Sequence, residues 1–244
     1  MQYVFCFIKF LLHFLNYRGK IIKKRNERLI VMALSEKFRI ETKSPNLYLC
    51  GYKGHFVTGR SHMNYYIDIT SQKSCLSEAR AVAKAIVPSY KMTTMVDTIL
   101  CLDGTEVIGT CLAHELTKND FASVNANGEI NILAPEYTPS NQLLFRDNII
   151  RMIANRQVLI FAASVVTGGT AKSAIEAIEY YGGSVAGIAS IFATVDECAG
   201  FPITSIFNPN DLEGYVFSPS FECPMCKRGE RVDALVNSYG CSIL

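Results

Sequence analysis

Between residues 96 and 207, short apolar runs alternate with segments of helical period, and this alternation confines the chain to a narrow class of folds. The runs are VDTILC (96–101), QVLIF (157–161), SVAGIASIFA (184–193) and ITSIF (203–207). Between them lie EVIGTCLAHELTK (106–118) and a helix running from residue 170 to a stop at Gly182 and Gly183. Strands separated by helices of about 10–13 residues pair in parallel and are covered on both faces. The predicted fold class is α/β, a parallel sheet flanked by helices. Ligands of such sheets sit beyond the carboxyl ends of the strands, which points to the loops at 102–105 and 162–170.

The flanking segments complete the plan. Residues 47–69 are rich in Tyr, Phe and Val, punctuated by Gly51, Gly54 and Gly59, and read as short strands with tight turns: a small N-terminal β-rich hood. SCLSEARAVAKAI (74–86) has helical spacing and ends before Pro88. NANGEINIL places a turn at Asn127 and Gly128 before a strand, and RDNIIRMIANR is a short helix. No repeat or low-complexity linker divides the chain. Residues 32–244 therefore read as one domain, with a hood at about 45–72, a core at about 74–210 and a C-terminal tail at about 211–244.

The charge is unevenly placed. Residues 1–31 hold seven Lys or Arg and one acid, a net +6; the remainder holds 17 basic against 21 acidic residues, a net −4. A mildly acidic body gives no electrostatic reason to expect nucleic-acid binding. The apolar part of the extension, residues 1–17, is interrupted by Lys9 and His13 and falls short of the about 20 apolar residues a span needs. Its charge follows the apolar run, the reverse of a secretory signal. Three readings stay open: translation from Met32, a surface amphipathic segment, or an anchor. Nine cysteines are too few for a disulfide scaffold of this length, and a reducing, cytoplasmic setting is the simpler reading.

The candidate site centres on Thr167, Gly168, Gly169 and Thr170, which open a helix. Glycines let main-chain N–H groups approach a phosphate, threonine hydroxyls add donors, and the helix dipole favours an anion by up to roughly 2 kcal/mol when partly buried. The competing reading is a plain strand-to-helix turn capped by Thr167 or Thr170.

VLIFAASVVTGGT (158–170) resembles the signature of the type I phosphoribosyltransferases: an apolar strand, an acidic pair, then a Thr-Gly-Gly-Thr-like loop. HFVTGRSHMNYYIDIT (55–70) is similar to the base-binding hood of the orotate type, and VDTILCLDGTEVIGTCLAHEL (96–116) resembles the family's pyrophosphate loop and following helix. The resemblance spans roughly residues 55–192, with its motifs in order. It implies a phosphorylated ribose or nucleotide as ligand, transferred from phosphoribosyl pyrophosphate to a nitrogen base with Mg²⁺. It further implies that Thr167, Gly168, Gly169 and Thr170 hold the 5′-phosphate. Asp103, Gly104, Thr105 and Glu106 would hold pyrophosphate, and Thr58, Gly59, Arg60, Tyr65 and Tyr66 the base. Members of the family often form homodimers.

Three departures separate this chain from the family pattern. The acidic pair is Ala162 and Ala163. The lysine before the Ser/Thr-Gly turn is Val57. The stretch 119–146, where a basic mobile loop belongs, has Arg146 as its only strong base. Each charge-assisted hydrogen bond lost to ribose forfeits about 1.5–3 kcal/mol, and a missing leaving-group cation costs on the order of a hundredfold in rate. Two functions therefore compete: a transferase of the orotate type, and a non-catalytic binder or sensor of a nucleotide or sugar phosphate on the same fold. Asp103 and Glu106 could hold Mg²⁺ through oxygen ligands, or serve only as a cap and a first-turn acid.

Cys223 and Cys226 form a C-x-x-C near the C-terminus, a spacing that suits zinc thiolates. Four ligands are needed, and Cys241, Cys198, Cys50 or a second subunit are the candidates to complete the set. A redox pair and incidental buried thiols are the alternatives. His55, His62 and His114 show no partner in the sequence and read as surface or core histidines.

Overall fold

The computed structural model describes residues 36–59, 61–138, 142–238 and 240–244. The N-terminal extension at 1–31, the start at Met32, and Arg60 lie outside the described residues.

The core is a six-stranded sheet built from β4 (Thr98–Cys101), β5 (Asn131–Leu133), β8 (Gln157–Val165), β9 (Ser184–Ala193), β10 (Glu197–Cys198) and β11 (Phe201–Phe207), in the order β10-β11-β9-β8-β4-β5. Every pair is parallel except β10 with β11. From β4 the chain adds β5 on one side and then returns to add β8, β9 and β11 on the other. The topological switch therefore falls between β4 and β8, where such a sheet leaves a crevice at its carboxyl edge.

Helices cover both faces, which is why the core strands read as unbroken apolar runs. On one face lie α2 (Leu76–Ile86), just after the one-turn α1 (Thr70–Ser74), and α3 (Glu106–Leu116). Ala79, Val82, Ala83 and Ile86 of α2 and Ile108, Leu112 and Leu116 of α3 are buried there against Ile99, Leu159, Phe161 and Ile191. Their three- and four-residue spacing is the helical stripe visible in the sequence. Gly109 lets α3 lie close to β4, because a Cβ there would stand 2.3 Å from Cys101 Sγ. Beyond the short α4 (Asp147–Ile150), α5 (Gly169–Tyr180) buries Ala171, Ala174, Ile175 and Ile178 on the other face, against Leu100, Ile160 and Ile188. The two faces together make an α/β sandwich, as the alternation predicts.

The hood is a second sheet. Its β1 (Glu36–Glu41), β2 (Tyr48–Val57) and β3 (Ser61–Ile67) are antiparallel neighbours around β2. The C-terminal segment supplies three more strands: β12 (Phe217–Pro219) pairs with β3, while β13 (Ala234–Asn237) runs parallel to β2 and carries β14 (Gly240–Ile243) as its outer neighbour. Both ends of the described chain thus build one sheet over the carboxyl edge of the core. The tail strands are short, and in isolation their sequence carries too little alternation to mark them. A two-stranded ribbon of β6 (Glu136–Tyr137) and β7 (Leu143–Leu144), and the one-turn α6 (Pro224–Lys227), complete the elements used below. No helix of the described residues is long and apolar enough to cross a membrane.

Candidate functional site

β8 continues four residues past the apolar run that marks it in the sequence. Ala162, Ser164 and Val165 pair with Ser190, Phe192 and Ala193 of β9. Pairing with β9 holds these residues extended, so the expected loop at 162–170 shrinks to residues 166–168. Ala162 and Ala163 are therefore strand residues, 2% and 5% exposed, and belong to opposite apolar cores.

After β8 the chain turns at Gly168, whose φ of 74° is a left-handed conformation, costly for residues with a Cβ. A side chain there would also meet Cys198 Sγ at 3.2 Å, and that thiol donates to the Gly168 carbonyl at 3.4 Å. Gly168 is the N-cap of α5 and offers no side chain to its first-turn amides. Neither threonine of the loop is the N-cap, so the first-turn donors of α5 are not closed in the way a simple capped turn would close them. Thr167, Gly169 and Thr170 are exposed.

The loop after β4 faces it across the switch point. Asp103 and Gly104 are consecutive left-handed residues, with φ of 58° and 76°. The turn is fastened to β8: the Leu102 amide donates to the Phe161 carbonyl at 2.8 Å, and the buried Thr105 hydroxyl reaches the carbonyls of Leu102 at 2.8 Å and Phe161 at 3.2 Å.

Between these loops and the hood lies a cavity of about 280 Å³. Its floor is residues 162–171. Asp103, Lys73 and Thr70 form one wall, Thr58, Tyr66 and Ile67 of the hood another, and Val236, Asn237, Ser238 and Gly240 of the tail close it. The four residues of the Thr-Gly-Gly-Thr loop thus share a cavity with Asp103, Thr58, Tyr65 and Tyr66. Gly59, Gly104, Thr105 and Glu106 are not among its lining residues. Thr105 is spent on backbone carbonyls, and Glu106 occupies the first turn of α3. Tyr65 is mostly core: it is 2% exposed, donates to the Glu213 carbonyl at 2.7 Å, and meets Phe38 edge-on. Tyr66 is half-buried and tilted against Phe56; burial pushes its hydroxyl well above the usual phenol range, keeping it a neutral donor.

Lys73 is the one basic side chain among the described lining residues. Its ammonium donates to the Asp103 carbonyl at 2.6 Å and to the Ser238 carbonyl at 3.0 Å, tying the β4 loop to the tail. Burial raises the Asp103 carboxyl above its ordinary value, and the nearby Lys73 charge offsets only part of that. Among its described lining residues the cavity has one cation, one acid with a weakened hold on its charge, and a helix N-terminus that adds positive potential.

A separate cluster lies in the hood. His55 of β2, His62 of β3, and Cys223 and Cys226 around α6 bring one ligand atom each within 4.8 Å of all the others. The cysteine pair singled out by its spacing is thus joined by two histidines, while Cys198 lies at Gly168 and Cys50 contacts the Asp68 carbonyl at 3.5 Å. Neither histidine was recognisable as a ligand from sequence, because the H-x₆-H spacing acquires meaning only once β2 and β3 fold as a hairpin.

No protein-family model matches this sequence, and no curated protein does. Solved structures similar to this chain include three phosphoribosyltransferases. Orotate phosphoribosyltransferase of Mycobacterium tuberculosis H37Rv, in complex with Fe(III) dicitrate, is 16% identical over 76% of this chain and 96% of that one, with a TM-score of 0.46. Adenine phosphoribosyl transferase from Trypanosoma brucei, in complex with AMP, pyrophosphate and ribose-5-phosphate, is 13% identical over 73% and 90%, with a TM-score of 0.47. Adenine phosphoribosyltransferase from Rhodothermus marinus is 18% identical over 59% and 86%, with a TM-score of 0.43.

Proposed function

We propose that the cavity binds a phosphorylated ribose, free or as a mononucleotide, with its phosphate on the main-chain amides at the start of α5. One observation carries this reading: a glycine-led, side-chain-uncapped helix N-terminus forms the floor of a half-open cavity at the switch point of a parallel sheet. A helix start there supplies several N–H donors and a favourable dipole to one anion. The exposed hydroxyls of Thr167 and Thr170 add donors, and Tyr66 gives the far wall an aromatic face suited to a ring.

The same walls argue for holding over transferring. Where phosphoribosyltransferase-like sequences place an acidic pair for the ribose hydroxyls, this floor has two buried methyl groups, Ala162 and Ala163. The single described lining cation already serves two carbonyls. Stabilising a departing pyrophosphate demands positive charge aimed at it, and the described cavity has little to spare.

The transferase reading of the orotate type rests on Asp103, a lining residue of the cavity whose carboxyl would offer an oxygen to Mg²⁺. In that reaction the chain's part would be to orient the ribose against the base and exclude water, while Mg²⁺, when bound, would offset the negative charge developing on the leaving pyrophosphate. Purified protein mixed with phosphoribosyl pyrophosphate, Mg²⁺ and orotate distinguishes the two. The binder reading predicts no change in base absorbance, together with a rise in melting temperature on adding ribose 5-phosphate or a pyrimidine mononucleotide. Steady turnover overturns it in favour of the transferase. Neither turnover nor a thermal shift overturns both.

A further inference from the structure

We propose that His55, His62, Cys223 and Cys226 form a closed, tetrahedral zinc site that staples the C-terminal segment to the hood.

The distances suit it. His55 Nε2 stands 3.6 Å from Cys223 Sγ and 3.7 Å from Cys226 Sγ, and His62 Nδ1 stands 3.3 Å from Cys226 Sγ. A tetrahedral ion with Zn–N bonds of about 2.0–2.1 Å and Zn–S bonds of about 2.3 Å separates such N and S atoms by about 3.5 Å. The two ring nitrogens are somewhat closer, at 2.8 Å, and binding would spread them. Two thiolates and two imidazoles in a tetrahedron are a donor set that selects zinc over hard cations.

The surroundings orient the ligands. His55 Nδ1 lies 3.1 Å from the Glu230 carbonyl, a contact in which that nitrogen must be the donor. The proton is thereby fixed on Nδ1, and the Nε2 lone pair points into the cluster. Residues 223–229 fold as a tight knuckle. The Cys226 amide approaches Cys223 Sγ at 3.5 Å, the Gly229 amide donates to the Cys226 carbonyl at 2.9 Å, and Gly229 takes a φ of 76°. His55, His62 and Cys223 are buried, and Cys226 lies at the surface. Without a cation these four groups share thiol and imidazole protons among themselves; an ion held by two thiolates and two imidazoles would satisfy all four lone pairs at once.

The placement says what the ion does. β13 meets β2 through only two residue pairs, Ala234 with Phe56 and Leu235 with Val57, and β12 meets β3 through three. Such short ladders hold weakly in water. The cluster joins both hood strands to the tail between β12 and β13, just ahead of the residues that wall the cavity. All four ligand positions come from protein, which marks a structural rather than a catalytic site.

The test is metal analysis of the full chain, expressed with zinc in the medium and purified under reducing conditions without chelators. The proposal expects about one zinc per chain. Replacing zinc by cobalt(II) should give the strong visible absorption of a tetrahedral site with thiolate ligands. Cys226→Ser and His62→Asn should each lower zinc content at least about fivefold. Chelation should speed amide exchange in residues 231–244 while leaving α3 and β8 unchanged. Wild-type protein with no zinc and no tetrahedral cobalt spectrum overturns the proposal. So does a Cys223–Cys226 disulfide in protein isolated under reducing conditions, or full zinc content in both variants. None of these readouts depends on the cavity's ligand, so the site stands or falls independently of the sugar-phosphate reading.

Discussion

The Lys73 ammonium donates to the main-chain carbonyl of Asp103 across 2.6 Å, joining the helix that follows the hood to the loop that follows β4. With its second bond, to Ser238, it spans three segments distant in sequence at the rim of one cavity. Lys73→Met retains the aliphatic stem but frees two carbonyls that then rely on water. The expected cost is about 1 kcal/mol, read as a lower midpoint in urea unfolding with an unchanged slope. Affinity for ribose 5-phosphate should fall by roughly tenfold where the Lys73 ammonium also faces the anion. Unchanged stability would show that the bridge is not formed in solution.

Asp103 links stability to pH. Burial raises its folded pKa above the unfolded value of about 3.9. The native state therefore holds the proton more tightly than the unfolded chain does. The contribution is fully present below the unfolded pKa and is lost as pH rises through the folded value. Asp103→Asn keeps a residue tolerant of the φ of 58° and removes the ionisation. Its melting temperature should exceed wild type at pH 7 and match it at about pH 3. A variant less stable at pH 7 would mean the carboxylate is stabilised there by a partner.

Gly168 combines a left-handed backbone with a tight neighbour. Gly168→Ala should cost about 1–2 kcal/mol from backbone conformation alone, with added strain from the 3.2 Å approach to Cys198 Sγ. Adding Cys198→Ala should recover the second part and leave the first. Thermal denaturation of the single and double variants measures both. A neutral Gly168→Ala would place a different backbone at the head of α5.

Thiol reactivity provides a test of burial. The exposed Cys75 sulfur is drawn below the ordinary thiol value, chiefly by the Ser77 hydroxyl, whereas burial pushes Cys101 up to about 12. Native protein at pH 8 should alkylate at Cys75 faster than at Cys101 by on the order of a thousandfold or more, with mass spectrometry of timed samples as the readout. Comparable rates would contradict the closed packing of α3 on β4.

Much of the core was legible from pattern alone. The apolar runs at 157–161 and 184–193 read as interior strands, and the spacing of Ala79, Val82, Ala83 and Ile86 reads as one helix face. The end of β8 was not legible, because Ala162, Ala163 and Ser164 carry no strand signal of their own; pairing with β9 holds them extended. The tail strands β12–β14 were hidden for a similar reason. Three- and four-residue strands gain their stability from a partner sheet made some 170 residues earlier, and local propensity does not record that. At the site, the glycine loop was visible as a motif, and so was the cysteine pair. His55 and His62 were not, since their meeting depends on the β2–β3 hairpin and on a long-range return of the chain. Lys73 was missed because its role lies in bonding to carbonyls, which no side-chain motif encodes.

The central claim is that the amides at the head of α5 hold a phosphate. The most direct measurement is a crystal structure of the full chain with ribose 5-phosphate. The account predicts phosphate oxygens at about 2.7–3.2 Å from the main-chain nitrogens of Gly168, Gly169 or Thr170, with the sugar ring extending toward Tyr66. A phosphate bound elsewhere, or those amides turned away from an occupied cavity, would contradict it.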